Sequence, residues 1–213
     1  MSPPPSDRLF IPPRIGGSTV ADFIERKNRR AFSNIRQRRG GAVRVGRHIA
    51  VNVGGACKDN GKQWARGGAG VYFGPSSRYN FSKELGKHGR PQTNQRAEVN
   101  AATIALRKVK KLLDKEKLDT RLVLILSDSQ YLVKGITQYI YKWQDNGWMS
   151  SRRRPVDNQE DFEELDELID ELEDDYEVFV RFWWIPKEDN EDADEMAREA
   201  AGFYDSDSDS DSD

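Results

Sequence analysis

The chain has 213 residues, 33% of them charged, with a mean hydropathy of -0.83. It lacks an apolar run near the roughly 20 residues of a membrane span and the basic-then-apolar order of a secretory signal in its opening MSPPPSDRLF, and its single cysteine, Cys57, excludes an internal disulfide. The net charge of -2 divides into +8 over residues 1–50, +12 over 51–156 and -22 over 157–213, so the first three-quarters suit a polyanionic partner.

Residues 1–46 contain PPPS, IPPR and RRGG, with few apolar residues, and are expected to be a disordered arm. Arg26, Lys27, Arg29, Arg30, Arg36, Arg38 and Arg39 form a basic cluster there, suited to phosphate binding or nuclear targeting, or simply a solvated linker. A folded domain is expected over 47–204. HIAVNVGGA (48–56), AGVYFG (69–74) and YNFSKEL (79–85) have strand character, punctuated by glycines. The glycines form no dinucleotide fingerprint, because no helix follows them. Residues 96–117 have helical spacing, with Glu98, Ala102, Ala105, Val109 and Leu112 on one side.

The run Leu122–Leu126 is the length of a strand buried on both faces, and Ser127 and Asp128 end it before a helix expected over 129–143. A further helix is expected over 159–173, a strand over EVFVRFWWIP and a last helix over about 190–202. The tail 205–213 is an acidic Asp-Ser run expected to be disordered. The order βββ-α-β-α-α-β-α predicts an α/β fold, with helices on a mixed five-stranded sheet.

Glu98 at a helix start, Asp128 at a strand end and Asp194 early in the last helix can converge at the carboxyl ends of the strands. Together, such acids suit a hard divalent cation, and a pair of ions can activate water and stabilise the leaving oxygen of a phosphodiester. Taken singly, Asp128 can N-cap the following helix, while Glu98 and Asp194 can complement helix dipoles.

TNQRAE before a helix, SDSQYLVKGITQYIYKWQDNGW and NEDADEMAREAA strongly resemble the type 1 ribonuclease H domain over about residues 48–203. The resemblance implies the ribonuclease H-like fold and an RNA–DNA hybrid as partner. It also implies hydrolysis of the RNA strand by two Mg²⁺ held on four acids, of which Glu98, Asp128 and Asp194 match three as catalytic residues and metal ligands.

The fourth is absent: VNVGGAC places Gly54 where the family has an Asp. Asn52 lies two residues back on the same strand face and Asp59 five residues on, and neither replaces it. The family's auxiliary His has no counterpart in IPKEDNEDAD, which carries Lys187 and Glu188 instead. Weakened or single-metal binding of Mg²⁺, or of Mn²⁺, is therefore expected, with Gly54→Asp raising activity if the other acids are correctly placed. The alternatives are a catalytically dead nucleic-acid-binding protein and an interaction module.

The same resemblance assigns Asn60, Asn94 and Gln95 to the hybrid's minor groove, where 2′-hydroxyls distinguish RNA from DNA. It assigns Thr93 and Asn158 to a DNA phosphate pocket in which Pro91 replaces an Arg and Arg90 is the neighbouring candidate. Tyr131, Tyr139 and Ser151 fall along the DNA-strand channel. Lys142, Trp143, Trp148, Arg152, Arg153 and Arg154 fall in a basic protrusion, the two Trp serving equally well as core packing. No membrane partner is expected, and the chain is expected to be a monomer inside the cell, in the nucleus or cytoplasm.

Overall fold

The computed structural model describes residues 7–12, 20–26, 32–39, 42–86, 89–116 and 120–203. A mixed five-stranded sheet is its frame: β3 (Ala42–Lys58), β4 (Arg66–Tyr72), β5 (Phe81–Leu85), β6 (Leu122–Ser127) and β7 (Phe179–Trp184). β3, β4 and β5 are antiparallel neighbours, while β6 runs parallel to both β3 and β7. β6 is buried along its whole length, as its unbroken apolar run requires.

Two helices cover one face of this sheet. α2 (Asn94–Glu116) and α5 (Gln159–Tyr176) enclose the main core, including Val51, Val53, Leu106, Val109, Ile125, Phe162, Leu165 and Ile169. The stretch expected as one helix over 129–143 is instead three pieces: α3 (Gln130–Lys134), a π-helical turn at Gly135–Tyr139 and α4 (Ile140–Asp145). Phe162 forces close contact at the junction, since a Cβ on Gly135 would lie 2.4 Å from its ring. Trp143 packs 5.2 Å from Phe162 and 5.9 Å from Trp148, centroid to centroid, so both tryptophans act in core packing.

Within residues 1–46, expected as a disordered arm, several of the described stretches carry regular structure. Phe10 donates its N–H to the Phe182 carbonyl and Phe182 donates to that of Arg8, which adds a short parallel bridge beside β7. α1 (Val20–Phe23), β1 (Ile24–Arg26) and β2 (Phe32–Arg39) then lead into β3 as an antiparallel ribbon. Phe23 and Ile24 are buried against Ala50, Leu122, Leu124, Leu126 and Ile185, with Phe10 and Trp183 beside them. The physical reason is burial: β6 is buried on both faces, and α2 and α5 cover only one. All seven of the basic cluster's side chains, and the tail 205–213, lie outside the described residues. No helix among the described residues is long and apolar enough to cross a membrane.

The last helix, α6 (Glu191–Ala200), lies against β3 and β4 on a floor of glycines. Gly54 and Gly70 are cross-strand partners, and a Cβ on either would meet the Ala193 carbonyl oxygen, at 2.7 and 2.2 Å. A Cβ on Gly68 would lie 2.2 Å from the Ala197 carbonyl oxygen. Ala193, Ala197 and Ala201 recur every fourth residue on the buried face, so small side chains on both surfaces let helix and sheet backbones approach.

Candidate functional site

The β6 end, the start of α6 and the first turns of α2 bring the three predicted acids into one neighbourhood. Ser127 ends β6, and its hydroxyl accepts the Ser129 N–H at 3.1 Å. Ser129 is the N-cap of α3, accepting the Leu132 N–H at 3.2 Å, so Asp128 is not the cap and its carboxylate is free for another role. Trp184 at the end of β7 donates its indole N–H to the Asp128 carbonyl at 3.0 Å, fixing the turn from outside.

Each acid has a different surrounding. Glu98 is half-buried, with Oε2 enclosed and lacking a hydrogen-bond partner. Burial pushes its carboxyl well above the usual carboxylate range, and the charges of Asp128 and Asp194 push it further, against the Gly55 N–H and Lys187. Asp128 Oδ1 accepts the Asn190 side-chain amide at 2.6 Å. Asn190 is itself buried, donates also to the Val53 carbonyl at 3.0 Å and accepts from Asn52 Nδ2 at 2.9 Å. Asp194 Oδ2 lies 3.6 Å from Lys187 Nζ, whose side chain is otherwise exposed.

Asn52, Asn190 and Lys187 are the participants that sequence reasoning did not assign to the site. The available signals were that Asn52 shares a strand face with Gly54 and that Lys187 stands in the loop where the resemblance places a His. Gly54 itself is more than a missing ligand. The α6 backbone stands where its Cβ would project, with Ala193 O at 2.7 Å and Asp194 N at 2.9 Å.

A divalent cation would need several of these carboxylates to converge on one point. Among the described residues no group of three His, Cys, Asp or Glu could hold a metal ion. Asp128 is engaged by an amide, Asp194 by an ammonium, and the fourth position offers no oxygen. As arranged, the residues do not fit a two-metal centre.

The predicted nucleic-acid contacts divide into two groups. Asn60, Asn94 and Gln95 are exposed at the start of α2, where the Asn94 N–H donates to Asn60 Oδ1 at 3.1 Å and the Gly61 N–H to the Gln92 carbonyl at 3.2 Å. Thr93 adjoins them and caps α2, its hydroxyl accepting the Arg96 N–H at 3.1 Å. Asn158, in the left-handed region at φ 63°, precedes α5 and donates to the Tyr131 hydroxyl at 3.2 Å.

Arg90 is already engaged: it lies 3.1 Å from Glu160 and 3.2 Å from Asp161, so it does not present a free fork beside Thr93. Asp161 is buried and also binds Arg96 and Asn100, which ties the starts of α2 and α5 together. Tyr139, at the end of the π-helical turn, and Ser151, Arg152, Arg153 and Arg154, in the turn after α4, are exposed, away from these hydrogen bonds.

The model of the RNase H family matches residues 47–202. Ribonuclease H1 of Rattus norvegicus is 38% identical over 161 residues, which is 74% of this chain and 51% of the rat protein. The chain thus spans about half the length of that relative. Ribonuclease H of Afipia carboxidovorans is 35% identical over 158 residues, covering 71% of this chain and 91% of the bacterial one.

Among solved structures, LC9-RNase H1, a type 1 RNase H with the type 2 active-site motif, superposes with a TM-score of 0.53 at 23% identity, over 72% of this chain and 71% of that one. A foamy viral protease-reverse transcriptase in complex with dsDNA superposes with a TM-score of 0.52 at 18% identity, over 73% and 94%. At these identities the two structures bear on fold alone. The family match over most of the folded part, together with relatives above 30% identity, establishes that this chain belongs to the RNase H family.

Proposed function

We propose that the chain binds RNA–DNA hybrid as a ribonuclease H-like protein and that its hydrolysis of the RNA strand is very slow or absent. The observation that carries this reading is the packing of the α6 backbone over Gly54, which leaves three acids where the family chemistry uses four. Loss of one ligand to a shared pair of ions removes the means of dividing water activation from leaving-group stabilisation. Several kcal/mol of transition-state stabilisation lost this way is thousands-fold in rate, at about 1.4 kcal/mol per tenfold.

The binding half of the proposal is supported by the exposed Asn60–Asn94–Gln95 group and the basic character of residues 51–156. Amides placed together at a helix start can donate to and accept from 2′-hydroxyls and base edges in a minor groove.

The test is one titration and one cleavage assay. A labelled RNA–DNA hybrid should bind with an affinity that falls with salt, as counterion release requires, by about 0.9 logarithmic units per phosphate contacted for each tenfold rise in salt. The same hybrid should remain uncut, or nearly so, with Mg²⁺ and with Mn²⁺. Rapid Mg²⁺-dependent cleavage would refute the catalytic half, and salt-independent or undetectable binding would refute the other.

A further inference from the structure

The positive charges of α2 fall on two faces with different fates. On the face toward α5, Arg107 pairs with Glu164 and Lys110 with Glu171. On the neighbouring face, Lys108, Lys111 and Lys115 line a pocket of about 370 Å³ together with Arg78, Tyr79 and Leu112. Among the described residues no acid pairs with Lys108, Lys111 or Lys115. Lys108 Nζ lies 4.2 Å from the centroid of the Phe81 ring, and the Arg78 guanidinium 4.8 Å from that of Tyr79. Like charges gathered around one concavity repel, and a polyanion relieves that repulsion. The Lys108 ammonium shows the cost: burial, and then the charge of Lys111, hold it below its usual range.

The arrangement also selects the kind of anion. Lys108, Lys111 and Lys115 climb the helix in steps of about 4.5 and 6 Å, a row rather than a point. A row suits charges repeated along a chain better than a single compact anion. Tyr79 and Leu112 give the cavity an apolar floor, which favours a ligand that carries flat apolar groups between its charges.

We infer that this cavity is a second nucleic-acid site, taking a short single-stranded segment whose phosphates follow the lysine row. It is separate from the Asn60–Asn94–Gln95 group at the start of α2. Lys108 and Lys115 lie about 21 and 32 Å along the helix from Asn94, well beyond the screening length of about 8 Å at physiological salt.

The experiment uses the full chain and a labelled six-nucleotide oligodeoxythymidylate, followed by fluorescence anisotropy at 0.15 M salt. Lys111 and Lys115 are exposed, so the charge-reversed double variant Lys111→Glu, Lys115→Glu leaves the core intact. Its affinity for the oligonucleotide should fall at least tenfold, while its affinity for a short RNA–DNA hybrid changes less than twofold. The two readings fail separately: absent hybrid binding counts against the Asn60–Asn94–Gln95 group, not against this cavity. No binding of the oligonucleotide by the native chain, or an unchanged affinity in the variant, overturns the inference. So does a parallel loss of hybrid binding, which would mean one shared surface. Displacement by tripolyphosphate at matched phosphate concentration would overturn the assignment to a nucleic-acid strand.

Discussion

Gly54 and Ala193 are in backbone contact: a Cβ placed on Gly54 would lie 2.7 Å from the Ala193 carbonyl oxygen and 2.8 Å from its carbon. The position is therefore closed as well as empty. From the sequence alone, Gly54→Asp is expected to raise activity by restoring the fourth acid. The structure reverses that expectation, because the new side chain must first displace α6, and α6 carries Asp194. Gly54→Ala and Gly54→Asp should both destabilise, by about 1–3 kcal/mol if the helix shifts to accommodate them, and Gly54→Asp should gain no cleavage. Thermal unfolding of both variants, with a hybrid cleavage assay, checks this. A Gly54→Asp protein that melts at the native temperature and cuts hybrid would show that helix and sheet separate easily.

Lys187 lies where the acid neighbourhood needs a positive charge. Its ammonium is 3.6 Å from Asp194 and lowers the proton affinity of Glu98. Because the lysine is largely exposed, Lys187→Ala should change stability by less than about 1 kcal/mol. Its effect should show in cation response instead. With the tethered charge gone, added Mn²⁺ or Mg²⁺ should stabilise the variant more than the native chain. A cation present at ten times its dissociation constant adds about 1.4 kcal/mol. Melting curves with and without the metal salts measure the difference. An identical metal response in both proteins would remove Lys187 from this role.

Glu98 gives a signed pH dependence. Its carboxyl is raised in the folded state, first by burial and then by Asp128 and Asp194. The folded chain therefore holds a proton that the unfolded chain releases near the ordinary value of 4.5. Stability linked to this group is fully present below that value and is lost as pH rises toward the raised folded one. Glu98→Gln removes the ionisation while keeping the shape, so it should stabilise at neutral pH and flatten the decline. Unfolding midpoints between pH 4 and 8 decide the matter. A steeper decline in the variant, or none in the native chain, would contradict the assigned surroundings of Oε2.

The parts of this fold that were legible in sequence are those whose signal is local. The apolar run Leu122–Leu126 announces a strand buried on both faces, and it is one. The alternation of strands and helices fixed the mixed sheet, and the three acids do gather where strand ends and helix starts meet. What escaped is tertiary. Phe10, Phe23 and Ile24 sit in short apolar patches amid charge and proline, and their partners Leu122, Leu124, Trp183 and Ile185 lie at least 98 positions away, counted from Ile24 to Leu122. The π-helical turn at Gly135–Tyr139, where Gly135 meets the Phe162 ring, is not registered by periodicity within the segment. Gly54 looks like a lost ligand until Ala193 is seen above it. Asn190 reads as an ordinary residue at a helix start until Asn52 and Asp128 are found on its two sides.

The N-terminal segment supplies the last test. Deleting residues 1–46, from the sequence, is expected only to weaken nucleic-acid binding uniformly. In the structure that deletion strips Phe10, Phe23 and Ile24 from the second face of β6 and uncovers Ala50, Leu122, Leu124, Leu126 and Ile185. It also removes Arg8, a buried guanidinium bound to Asp166 and, at 2.7 Å, to Asp170 on α5. Phe23→Ala alone should cost about 3–5 kcal/mol, as a buried aromatic leaving a cavity. Arg8→Ala should cost a comparable amount, because Asp166 is left mostly buried without its partner. The full deletion should therefore yield an aggregating or poorly folded chain rather than a folded one with weaker affinity. Denaturant unfolding of the two point variants and the solubility of the truncated chain check this. A truncated chain that unfolds at the native midpoint would return residues 1–46 to the status of an arm.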